Sequence, residues 1–329
     1  MQEKIISFDG LGIGPIQFDR VAFSIGDFAV YWYAIIISFG LILALGFCLW
    51  QAKKFDLTTD NILDVLLYGL PVAIICARAY YVIFSPASVK YESFFDMIDI
   101  RNGGLAIYGG IIGAFATGAI YCKLKKVNML AMFDIASFGF LIGQSIGRWG
   151  NFVNGEAYGS ITKLPWGMTI NGRGPFHPTF FYEFLWNVIG FVLLYIFVKK
   201  WKKHHGEAFF LYMAWYGLGR FFIEGLRADS LMLGSIRVSQ IVAAVAFAFG
   251  IVMFVLSRKN LLTKAKEKAK ENAKIRSERR YKPVYTSLYS DEALSAGTKV
   301  EQLGEASMED VEDDRENATP TEEGETENG

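Results

Sequence analysis

Residues 28–50 read FAVYWYAIIISFGLILALGFCLW and are followed at once by Gln51-Ala52-Lys53-Lys54. A run of this length with no charge is enough to cross a hydrocarbon core, which about 20 apolar residues span as a helix. The same reading recurs at 62–84, 104–122, 130–149, 180–198, 208–225 and 238–256, giving seven predicted spans. The whole chain of 329 residues is 52% hydrophobic and 16% aromatic, with a mean hydropathy of +0.27 that a polar C-terminal segment dilutes. The expectation is therefore an all-α integral membrane protein of seven transmembrane helices.

Clusters of basic residues fix the expected orientation. Lys53-Lys54, Lys123/Lys125/Lys126, Lys199-Lys200/Lys202-Lys203 and Arg258-Lys259 follow the first, third, fifth and seventh spans. The positive-inside bias puts those junctions in the cytoplasm, the N-terminus outside and the C-terminus inside. Residues 1–257 then form the membrane domain, with a small external cap over about 150–178. Residues 258–329 form a cytoplasmic tail with a basic, helical start drawn to anionic lipid and an acidic, disordered end. The formal net charge of zero is the cancellation of those two stretches. Residues 1–20 lack the basic-then-apolar pattern of a cleaved signal. Cys48, Cys76 and Cys122 stand in or beside apolar runs without metal or disulfide spacing, as packing residues do.

Ionisable residues inside spans are costly and face a protein interior or a water-filled cavity. In the sixth span Tyr216, Arg220, Glu224 and Arg227 follow one another at helical spacing along one face. One carboxylate between two guanidiniums leaves a positive charge for an anionic ligand. The fourth span ends in Gly147-Arg148-Trp-Gly-Asn151-Phe-Val-Asn154-Gly-Glu156-Ala-Tyr-Gly159, a polar, glycine-rich exit that can grip a phosphate or glycerol headgroup. Gly139, Gly143 and Gly147 offer a face for close helix packing. Gly143-Gln-Ser145-Ile-Gly147 matches a hydrolase nucleophile elbow, but that motif needs a strand-to-helix turn and this one is expected mid-helix. With the N-terminus outside, Tyr33, Arg78, Tyr81, Tyr108, Arg148, His177, Tyr182, Glu183, Arg220, Glu224 and Arg227 all fall at the outer ends of their spans. One depth shared by so many polar residues implies a site open to the outer leaflet. A transporter would need a polar route to the inner side, and the inner halves of the spans are apolar; another outer-leaflet lipid enzyme is the nearer alternative.

These motifs also carry a resemblance. Trp32-Tyr33, Gly103-Gly104-Leu-Ala-Ile-Tyr108-Gly-Gly110, the segment 147–156, His177-Pro-Thr-Phe-Phe-Tyr-Glu183 and the segment 216–227 occur in an order similar to that of phosphatidylglycerol–prolipoprotein diacylglyceryl transferases. The likeness runs from residue 23 to about 256. It implies transfer of an sn-1,2-diacylglyceryl group from phosphatidylglycerol to the lipobox cysteine of a preprolipoprotein, in a bacterial plasma membrane. The product is a thioether and glycerol phosphate is released. No cofactor, metal or nucleic acid is expected. Carried over by motif, Arg148 is the phosphatidylglycerol-binding arginine, Tyr33, Asn151 and Gly159 are tied to activity, and Arg220 and Glu224 match the sixth-span pair. Asn154, Glu156, His177, Tyr216 and Arg227 complete the expected substrate-binding set. Many relatives place histidine where this chain has Tyr108, so the general-base role linked to that histidine does not transfer. Tyr108 enters as a catalytic candidate whose alternatives are lipid hydrogen bonding and packing.

Overall fold

The computed structural model describes residues 3–26, 28–85, 91, 93–100, 103–228, 232–233, 236–259 and 271. The chain begins with two short hairpins, β1 (Lys4–Phe8) with β2 (Ile13–Phe18) and β3 (Val21–Ile25) with β4 (Phe28–Tyr31). Then come α1 (Trp32–Gln51), α2 (Thr59–Phe84), a short α3 (Phe94–Ile98), α4 (Ile107–Leu124) and α5 (Met129–Asn154). β5 (Met168–Ile170), β6 (Arg173–Phe176), α6 (Thr179–Lys200) and α7 (Glu207–Leu226) follow, and a two-residue pair, β7 (Met232–Leu233) with β8 (Ile236–Arg237), precedes α8 (Val238–Arg258).

Six of these helices are long and apolar enough to cross a membrane: α1, α2, α4, α5, α6 and α8. The protein is thus a mostly helical, multi-pass membrane protein. α7 spans the sixth predicted segment, but Arg220 and Glu224 dilute its hydropathy. The first predicted span opens four residues too early. Phe28–Tyr31 is a strand, because its β-branched and aromatic residues pair with β3 before the helix begins at Trp32. The fourth span runs five residues further than expected, ending only where Gly155 adopts a left-handed conformation at φ 59° and its N–H closes on Asn151 and Phe152 carbonyls. The expected character of the tail lies outside the described residues, apart from Arg258, Lys259 and Glu271.

Helix ends are set locally. Thr58 and Asn61 form a reciprocal capping box at the start of α2, and the Asn128 side chain accepts from the Leu130 and Ala131 N–H groups at the start of α5. Packing uses small residues where backbones meet. α8 lies so close to α7 that a Cβ on Gly217 would fall 2.5 Å from the Ala243 carbonyl oxygen. The predicted glycine face packs on α1 at two of its three positions, Gly139 against Cys48 and Gly147 against Ile37, while Gly143 meets nothing within 4 Å.

The cap draws on more of the chain than the segment predicted for it. β1 pairs with β5 through Ile6↔Ile170 and Ser7↔Thr169, giving a four-stranded sheet of order β2-β1-β5-β6. Half of the cap thus comes from the N-terminal residues. Ile6, Phe152, Val153, Met168, Ile170 and Phe180 form its buried core and tie it to α5 and α6. Asp9 pins the hairpin to β5, accepting from Ser7 Oγ at 2.6 Å and Thr169 Oγ1 at 2.7 Å. Those two bonds hold its carboxyl below the usual carboxylate range.

Candidate functional site

Glu183, in the first turns of α6, is buried and stands among three arginines. Arg148 of α5 forms a short ion pair with its Oε2. Arg220 Nη1 and Arg227 Nη1 approach its Oε1 at 3.5 and 3.6 Å. Arg220 also binds Glu224, one helical turn on, at 2.5 Å. Glu183 therefore spreads one negative charge over guanidiniums from three segments of the chain. The sequence puts Glu183 at the depth of the site but not among the site residues, although a lone Glu in an apolar run is itself a signal of a functional interior. Arg227 joins the cluster from outside the helix. α7 ends at Leu226, and Arg227 is extended (φ −74°, ψ 143°), bridged to Gly159.

A second chain of polar contacts leads away from Arg148. Its Nη1 donates to Asn151 Oδ1 at 3.2 Å, Asn151 Nδ2 donates to Glu156 at 3.0 Å, and Asn154 Nδ2 donates to the same carboxylate at 3.3 Å. The continuation of α5 to Asn154 makes this possible, since Arg148, Asn151 and Asn154 then lie on neighbouring turns of one helix face. Glu156 orients the two amides, and Asn151 orients Arg148. Tyr33 packs its ring on Gly150, where a Cβ would fall 2.7 Å from the ring, and lies within electrostatic reach of Glu156 and Arg148.

The space enclosed by Gln144, Arg148, Glu183, Tyr216 and Arg220 is about 10 Å³, room for no more than a single water. Tyr216 sits beside Arg220 and Glu183, with Tyr108 also within its electrostatic reach. Gln144 reaches past the cluster to the Tyr212 hydroxyl at 2.9 Å. The reciprocal bonds of Trp186 and Trp215, each indole N–H on the other's carbonyl, fasten α6 to α7 directly beneath the cluster.

Not every expected residue meets the arginines. His177 turns its Nδ1 to the Tyr182 hydroxyl at 3.3 Å, and Tyr182 accepts from Trp166 at 2.8 Å. Gly159 is a packing position. A Cβ there would sit 2.6 Å from His177 Cβ and 2.8 Å from the Leu226 carbonyl oxygen. Arg78 is consumed by four carbonyls, those of Asp96, Met97, Gly103 and Gly104, at 2.7 to 3.1 Å. It shapes the loop that delivers Tyr108 to the start of α4. Ser145 donates to the Leu141 carbonyl within α5 at 2.7 Å, a buried back-bond rather than an exposed nucleophile. Among the described residues no group of three or more His, Cys, Asp or Glu is placed to hold a metal.

Fold and cluster together define a multi-pass membrane protein in which three arginines gather on one buried carboxylate where several helices end. The family model described as prolipoprotein diacylglyceryl transferase matches residues 20–256, which include every residue of that cluster. The chain is 48% identical over 259 residues to phosphatidylglycerol–prolipoprotein diacylglyceryl transferase 1 of Clostridium perfringens, covering 75% of this chain and 96% of that protein. It is 46% identical to the Finegoldia magna enzyme, covering 76% of this chain and all of that one. For the Clostridioides difficile enzyme the identity is 43%, over 74% and 97%. The chain belongs to the prolipoprotein diacylglyceryl transferase family.

Proposed function

We propose that this chain transfers the sn-1,2-diacylglyceryl group of phosphatidylglycerol to the lipobox cysteine of a preprolipoprotein at the outer face of a bacterial plasma membrane. The observation that carries the reading is the convergence of Arg148, Arg220 and Arg227 on the buried Glu183. Seven spans with the N-terminus outside place that cluster at the level of the outer-leaflet headgroups, and α7, though the least apolar, is the span that brings Arg220.

The chemistry is an alkylation of sulfur. The cysteine thiolate attacks the glyceryl carbon next to the phosphate, the S–C bond forms, the C–O bond breaks, and glycerol phosphate leaves. The thiol proton goes to a base. Negative charge grows on the leaving phosphate, and donors fixed in place before the reaction stabilise it most. Arg148 and Arg220 are those donors. In the unliganded protein Glu183 holds the place of the anion, keeping the guanidiniums together without collapse. The incoming phosphate accepts hydrogen bonds from Arg148 and Arg220. Glu224 orients Arg220 or assists deprotonation of the thiol. The Glu156–Asn151 pair fixes Arg148, while Tyr33, Asn154 and Tyr216 line the approach of the headgroup and glyceryl backbone.

The test is direct. The purified full-length chain is incubated with phosphatidylglycerol and a lipobox peptide, and the peptide is weighed by mass spectrometry. A diacylglyceryl increment on the cysteine, absent from a Cys→Ser peptide, is the expected result. No increment from folded protein, with a working relative run in parallel, sinks the assignment.

A further inference from the structure

The opposite end of the bundle holds a second cavity, of about 520 Å³, between the last turns of α1 and α6 and the turn that follows α6. That volume is in the range of small-molecule sites. Glu183 and Lys199 lie near opposite ends of α6, about 24 Å apart at 1.5 Å per residue, so this is not an extension of the arginine cluster. Phe47, Phe138 and Tyr195 line the cavity, and Lys54, Lys199, Lys202 and Lys203 contribute ammonium groups to it. Lys202 is matched by buried Asp134 at 3.0 Å, and exposed Asp56 faces His205 Nε2 at 3.2 Å. The lysine charge exceeds the carboxylate charge around this space.

Basic residues at helix ends are the ordinary signature of membrane topology and need no ligand. Gln51 is what topology leaves unexplained. It is 3% exposed, lines the same cavity, and its Nε2 has no hydrogen-bond partner among the described residues. A buried amide donor left unmade is costly, and here it borders a space ringed by cations. An acceptor that carries negative charge would satisfy both the amide and the surrounding cations. The aromatic wall beside it, with Phe47 5.4 Å from Phe138 and 6.3 Å from Tyr195 between ring centroids, suits an apolar body.

We infer that this cavity binds a phosphate group carried on an apolar body, with Gln51 Nε2 donating to the phosphate and Lys54, Lys199 and Lys203 supplying charge. An anionic phospholipid headgroup and a soluble organic phosphate share that chemistry.

Native mass spectrometry of the full-length chain in detergent micelles separates the sources. The chain carries Arg148→Ala to weaken the site at the other end, and is titrated with phosphatidylglycerol, with phosphatidylcholine and with inorganic phosphate. One saturable phosphatidylglycerol adduct, held more tightly than phosphatidylcholine, is expected. Adding Gln51→Met, Lys199→Gln and Lys203→Gln should weaken it by about tenfold or more, the scale of losing charge-assisted hydrogen bonds. Displacement of that adduct by inorganic phosphate marks the headgroup phosphate as the recognised group. Phosphate binding without any lipid adduct, lost in the same variant, marks a soluble phosphate as the occupant. Equal retention of both lipids, an adduct unchanged by the three substitutions, or no binding of any probe overturns the inference. In an otherwise unaltered chain the three substitutions should leave the melting temperature and diacylglyceryl transfer unchanged. If the triple variant does not fold, Lys199→Gln alone must still weaken the adduct.

Discussion

Both ends of the helical bundle bury carboxylates among cations, and they do so differently. At the end where α7 begins, Asp134 accepts from the Gly206 and Phe209 N–H groups at 2.8 and 2.9 Å and from Lys202 at 3.0 Å. Glu207 beside it takes Arg258 Nε at 3.0 Å and the Lys203 N–H at 2.9 Å. Each carboxylate there has its own partners at 3.0 Å or less, although Glu207 Oε1 meets Arg258 as an ion pair without a hydrogen bond, and two of Asp134's bonds cap the N-terminus of a helix. At the other end Glu183 is divided among three guanidiniums, two of them beyond 3.4 Å. A network built for stability closes on itself. At the other end one carboxylate is shared among three guanidiniums, and on the proposed function a phosphate joins them.

Four substitutions break or sharpen that contrast. Asp134→Asn should cost roughly 3–5 kcal/mol of stability, the scale of removing one partner of a buried ion pair, while transfer per folded molecule stays unchanged. Denaturant unfolding in micelles and single-turnover transfer on the same sample check both halves. If activity falls and stability does not, the two ends are not different in kind. Arg148→Ala should lower the transfer rate by about 10²–10³-fold, the usual scale for one donor aimed at developing charge, with insertion intact because Glu183 retains Arg220 and Arg227. A rate near that of the unaltered chain would make the arginine cluster structural as well.

Glu183→Gln should destabilise the ligand-free chain by roughly 1–3 kcal/mol. Added phosphatidylglycerol should restore more of the melting temperature in this variant than it adds to the unaltered chain, since the lipid phosphate then replaces the missing charge. An identical shift in both would separate Glu183 from the phosphate site. Tyr108→Phe is expected to change the transfer rate by no more than about threefold, the worth of one neutral hydrogen bond at a half-open position. A loss of 10²-fold or more, measured by the same peptide assay, would promote the tyrosine to general acid–base chemistry.

Hydropathy made the helices legible because lipid leaves the backbone few options. A segment that must satisfy its own N–H and C=O groups in hydrocarbon becomes a helix, and its apolar run shows in the sequence. Arg148, Arg220 and Glu224 stood out for the same reason, each being costly to keep in a span. What stayed hidden depended on contacts between distant segments. Glu183 lies in a quoted motif, yet nothing in its spacing along α6 reveals that guanidiniums from α5, from α7 and from just beyond α7 meet on it. Arg78 shares the depth of the site and looked like part of it, but the loop carbonyls that consume it follow from backbone turns, not residue types. Residues 4–18 carry short apolar runs without a long period, and their partner strand is far along the chain. The cap therefore looked half its size.

That last pairing sets a timetable for synthesis. Ile6 and Ile170 are neighbours in the sheet, but a ribosome adding about 5–20 residues per second makes them roughly 8–30 s apart. Through that interval β1 has an open edge, the kind of surface that recruits wrong partners. Only when Met168–Ile170 has emerged can the first strand of the protein be covered on both sides. The third strand of the cap to be made thus decides when the first stops being a hazard, and a nascent chain halted inside α5 would display that edge for as long as it waits.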